Sequence, residues 1–277
     1  MPLYERMLKI DRRYIYLLVA LAVIIPLLKP MGLPITITPP VQSIFDKIDK
    51  IPAGGHVLFS LDYDPSSKPE LYPMTIALFK HCFKRNIKVL ALTLWPTGAS
   101  LGETAIKEAA APFKKVDGED YVYFGYKVGY TVVIVSLGES IKNTFPVDFN
   151  QKPTGTMKAI QGIDKLHECD FVIDLAAGSS VDSWVAFGEE RYKFPMGAGV
   201  TAVSATQYYP YVNTGQLVGL MGGLKGAAEY EKLVSEPGLA TKGMDAQSIV
   251  HLMTIIIVII TNVLFLASRT SLKKESA

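Results

Sequence analysis

The run IVHLMTIIIVIITNVLFLA, Ile249 to Ala267, constrains this chain more than any other stretch, because nineteen consecutive residues contain no Asp, Glu, Lys or Arg. At about 1.5 Å per residue a helix of that length spans about 28 Å, close to the ~30 Å hydrocarbon core of a bilayer. Only a segment whose backbone polar groups bond internally can sit there, so the run predicts a transmembrane helix. Composition agrees: 49% hydrophobic against 19% charged residues is apolar for a wholly soluble protein.

A second apolar run, YIYLLVALAVIIPLL, covers Tyr14 to Leu28. The KPMGLPITITPP that follows offers no small-x-small cleavage site, so the run reads as an uncleaved anchor extending to Leu33, kinked at Pro26, with Lys29 snorkelling. Basic residues set the orientation. Arg6, Lys9, Arg12 and Arg13 precede the first span, and Arg269, Lys273 and Lys274 follow the second. Both termini are therefore expected in the cytoplasm. The expected organisation is a cytoplasmic N-terminus over 1–13, a transmembrane helix over 14–33 and a Pro-rich linker over 34–54. An extracytoplasmic domain over 55–235, a linker over 236–248, a second transmembrane helix over 249–267 and a cytoplasmic tail over 268–277 follow. The main domain is expected in a periplasmic or extracellular space, in a two-pass protein of the cell membrane.

Between the spans, apolar runs alternate with helical patterns. HVLFSLD, IKVLALTLW, DFVIDLAA and GVTAVSA read as strands, and ELYPMTIALFKHCFKRN and LGETAIKEAAAPF as helices. YVYFGYK and YTVVIVSLG read as a hairpin or two strands, and TGTMKAIQGIDKLHE as a helix. Strands that are apolar throughout belong to a sheet covered on both faces. The expected fold is a three-layer α/β domain with a mostly parallel, Rossmann-like sheet. No repeat or low-complexity tract interrupts it.

Several functional classes find no residues to carry them. A net charge of +2 with dispersed basic residues gives no footprint for nucleic acid. His56, His81, His167 and His251 lack metal-ligand spacing. GLMGGLKG is no phosphate-binding loop, since Leu224 precedes Lys225 and Gly226 follows it. No G-x-G-x-x-G joins a strand to a helix. Cys82 and Cys169 read as buried thiols, with a disulfide left open in an oxidising space.

In open α/β sheets ligands bind beyond the carboxyl ends of the strands. Those ends carry Thr93, Thr97, Ser179 and Ser180 as candidate ligand-binding residues, with Ser179 or Ser180 equally suited to capping a helix. They also carry Asp62 and Asp64 in VLFSLDYDPS, two carboxylates that suit nucleophilic and acid chemistry or a hard cation. Here the chain resembles the haloacid dehalogenase superfamily of phosphohydrolases, whose first motif is a hydrophobic strand ending in Asp-x-Asp. The resemblance implies a nucleophile at Asp62, a general acid at Asp64 and a magnesium ligand at Asp174, with Thr93 and Lys152 completing the set. The chain departs from that pattern at Pro65 and Ser66, and in the eight-residue separation of Asp174 from Asp182.

The features that folding alone does not require are interaction features. SATQYYPYVNTG offers Tyr208, Tyr209 and Tyr211 as amphipathic contact residues. TGQLVGLMGGLKGAAEYE reads as a helix whose Gly215, Gly219 and Gly223 form a stripe for close approach. Asn262 lies within the second span, placed for an interhelical hydrogen bond. These point to a non-catalytic subunit of a membrane assembly, homo- or hetero-oligomeric, with the lipid bilayer and other membrane subunits as partners and no cofactor. The alternatives are the magnesium-dependent phosphohydrolase and a small-ligand-binding domain.

Overall fold

The computed structural model describes residues 11–275, with side chains through Leu266. Arg6 and Lys9 lie outside the described residues, as do the side chains of Arg269, Lys273 and Lys274. Two helices precede the sheet, α1 (Arg12–Leu28) and α2 (Pro39–Asp49). β1 (His56–Asp62) leads to α3 (Lys68–Lys84), β2 (Lys88–Thr93) to α4 (Ala99–Ala110), and β3 (Tyr121–Tyr126) to α5 (Tyr130–Glu139) and the short α6 (Ile141–Thr144). A connection of 3-10 turns reaches β4 (Phe171–Ala176); α7 (Ser180–Trp184) then runs through a π-helical turn into α8 (Glu190–Tyr192). β5 (Met196–Val200), α9 (Ala205–Asn213), β6 (Gly219–Gly222), α10 (Gly223–Leu233) and α11 (Leu239–Glu275) complete the order.

The strands form one parallel sheet in the order β3-β2-β1-β4-β5-β6. Parallel neighbours need crossover connections, and right-handed crossovers place successive helices on a common face. Chain direction across the sheet reverses between β1 and β4, so α3 and α4 pack with α10 on one face while α5, α7 and α9 cover the other. This is a three-layer, Rossmann-like α/β architecture. Burial explains the continuous apolar strands: β4 is buried at every position and β1 at every position but the first.

Several local expectations are corrected. The stretch 34–54 is not a linker throughout, because Pro39 and Pro40 occupy the first turn of α2, where a missing N–H costs nothing. Val41, Ile44 and Ile48 then form its buried stripe. YTVVIVSLG is helix α5, not a strand. Its β-branched residues favour a strand, but a crossover must follow β3, and Val133, Ile134 and Leu137 bury at helical spacing. TGTMKAIQGIDKLHE forms 3-10 turns and loop rather than a helix, and the tyrosine stretch forms helix α9. Residues 236–248 are not a linker throughout, since α11 begins at Leu239. Cys82 and Cys169 are buried free thiols.

The glycine-striped helix does not form. Gly219 belongs to β6, Gly223 opens α10 with φ +59°, and Gly215 sits in a turn with φ +81°. The close approach at Gly219 is made within the chain, where an added Cβ would lie 2.2 Å from the Pro40 carbonyl oxygen of α2.

Contacts divide the chain into two units, Ile35–Thr241 and the terminal segments on either side of it. Among the described residues one helix is long and apolar enough to cross a membrane, Leu239–Leu266 of α11, and none of its most apolar window is buried within the chain. α1 has 17 residues and stops at Leu28 rather than Leu33. Pro30 disfavours helix at Lys29. Within the terminal unit, Asp245 accepts hydrogen bonds from the backbone N–H groups of Met31, Gly32 and Leu33 at 2.7, 2.9 and 2.9 Å. Asn262 donates to the Val258 carbonyl of its own helix at 2.8 Å.

Candidate functional site

The switch between β1 and β4 brings together Asp62 and Asp174, two carboxylates wholly buried in the sheet. Ser60 lies beside Asp174 in register, and it shares a strand face with Asp62, two residues on. Asp62 is well supplied with donors: Leu94 N at 2.6 Å, Ser60 Oγ at 2.8 Å and, more distantly, Thr93 Oγ at 3.4 Å. Asp174 Oδ2 accepts from Ser180 Oγ at 2.8 Å, and its Oδ1 is buried with no hydrogen-bond partner.

Burial raises both carboxyls above the usual range, and the charge of Asp62 pushes Asp174 further. Tyr130, at the start of α5, is pushed up to about 12 by burial and then by the two carboxylates. The Trp95 ring lies against Gly178, and Tyr208 Oη donates to the Gly178 carbonyl at 3.1 Å. The chain's own residues thus pack across the switch point.

Asp64 does not join the pair. Its Oδ1 accepts from Ser66 Oγ and Ser67 Oγ, each at 2.7 Å, and from Ser67 N at 3.1 Å, closing the turn before α3. Those bonds hold its carboxyl down to about 2, which leaves no proton to donate near neutrality. Lys152 is exposed and paired with Asp117 at 2.9 Å, before β3 and at the opposite end of the sheet from Asp62. No cluster of three or more metal-ligating side chains occurs among the described residues.

The other sequence candidates scatter. Thr93 and Ser180 are buried in the Asp62–Asp174 network, whereas Thr97 and Ser179 are exposed. Tyr208 is buried, and both it and Tyr211 donate to Asp182, at 3.3 and 2.9 Å. Tyr209 alone of the three is well exposed, at 44%. Sequence reasoning missed Ser60, Tyr130 and the Leu94 backbone. Ser60 had a signal, a hydroxyl two residues from Asp62 in an otherwise apolar strand; the other two depend on tertiary placement.

No protein-family model matches the chain, and no curated protein matches it. Among solved structures, trehalose-6-phosphate synthase OtsA is similar at a TM-score of 0.31 and 9% identity, over 87% of this chain and 47% of that one. The chain spans about half the length of that protein, and a likeness so weak carries no argument here.

Proposed function

We propose that the chain is a membrane-anchored, non-catalytic subunit of a membrane assembly, with its α/β domain as the interaction module. The observation that carries this reading is the apolar surface at the end of β3 and the start of α5. Val128 and Val132 are 76% and 70% exposed, and Tyr126 beside them is exposed as well. Large side chains left in water together mark a surface that a partner covers. The packing of Trp95, Gly178 and Tyr208 over Asp62 and Asp174 supports the non-catalytic half of the reading.

On this proposal α11 anchors the chain in lipid and α1 is a second anchor, with both termini cytoplasmic. Asp245, bound to three N–H groups just beyond α1, supports pairing of the two helices. A reporter fused after Ala277 is then reached only from the cytoplasmic side; access only from outside would overturn the topology. The subunit role is tested by the native mass of the chain extracted in mild detergent, wild type against Val132→Asp. A polar charge at that exposed site leaves the fold intact and reduces the mass of the complex.

A further inference from the structure

Two strands away from Asp62, the end of β3 and the segment after α6 enclose an open cleft of about 420 Å³. Phe124, Tyr126, Lys127, Phe145, Asp148 and Phe149 contribute to its lining. Phe124 stacks on Phe145 with ring centres 4.9 Å apart, and Phe149 packs beside Tyr123 at 5.4 Å. Gly125, with φ +77°, admits that ring, since a Cβ there would lie 2.6 Å from Phe149 Cδ2.

Two opposite charges share this lining without forming an ion pair with each other. Lys127 Nζ donates to the Thr144 carbonyl and lies 5.1 Å from the centre of the Phe145 ring, with donors to spare. Asp148 is only 2% exposed. Its Oδ1 accepts from Lys152 N at 2.8 Å and closes a turn, while its Oδ2 is buried with no hydrogen-bond partner. The turn explains one oxygen only, and an asparagine would close it equally well. What the carboxylate adds is an unmet acceptor with a negative charge, a costly group to leave without a donor.

We infer that this cleft binds a small zwitterion, with an ammonium group on Asp148 Oδ2, an anionic group on Lys127 Nζ and an apolar body against the Phe145 and Phe149 rings. Aromatic walls suit such a ligand twice over, burying its apolar part and attracting its cation. The site uses neither Asp62 nor Asp174 and does not depend on the subunit role.

The test titrates the full chain in detergent micelles with L-phenylalanine, with phenethylamine, which lacks the anion, and with 3-phenylpropanoate, which lacks the cation. Calorimetry is expected to give a Kd for L-phenylalanine below about 1 mM, with each half-ligand weaker by about tenfold or more. Asp148→Asn keeps the turn acceptor and weakens L-phenylalanine and phenethylamine by about tenfold or more, leaving 3-phenylpropanoate unchanged. Lys127→Met does the converse, and it keeps the test decisive should Asp148→Asn fail to fold. No binding of L-phenylalanine up to about 10 mM, or affinities that neither substitution alters, overturns the inference.

Discussion

Replacing Asp174 by Asn keeps the shape of the side chain and removes its titration. A carboxyl whose folded pKa is raised binds more protons in the folded chain than in the unfolded one. Its contribution to stability is full below the ordinary carboxylate range and is lost as pH rises through the raised value. Thermal melts of the wild type are therefore expected to fall as pH rises above the ordinary carboxylate range, and Asp174→Asn to flatten that fall and melt higher at the alkaline end. An unchanged slope would mean that Asp174 is ionised throughout. Asp62→Ala should act differently, stranding the Leu94 N–H and the Ser60 hydroxyl at roughly 1–3 kcal/mol each. At this scale the sequence revealed which residue types stand at the strand ends but not which of them meet. Asp62 and Asp64 are two residues apart in the chain, yet Asp64 is spent on its own turn and the partner of Asp62 comes from β4.

Helix α2 shows how a local pattern misleads and tertiary packing decides. Its prolines read as a leash, but at the first turn of a helix they are tolerated, and the buried stripe of Val41, Ile44 and Ile48 is visible in the sequence once that start is placed. Gly219 of the last strand could not be placed that way, because its role is to admit α2, a contact between distant segments. Gly219→Ala is expected to cost about 1–3 kcal/mol in denaturant unfolding by driving a methyl group into the Pro40 carbonyl. Stability equal to the wild type would show that α2 does not seat there. The parallel strands were legible from their continuous apolar character, whereas α5 was not, since a β-branched run becomes a helix only because β3 and β4 are parallel and need a crossover.

For the whole molecule, the apolar character of α11 was plain in the sequence because lipid imposes a length and a composition that few other settings require. The surface that carries the proposed role was less plain, since Val128 and Val132 look like ordinary core residues until the fold leaves them outside. Contact between this surface and another subunit is read out by native mass measurement after extraction in mild detergent. A discrete species heavier than the 30.4 kDa chain with its detergent is expected, reduced in mass by Val132→Asp. A monodisperse monomer with no associated chain, or a complex that Val132→Asp leaves untouched, would contradict it.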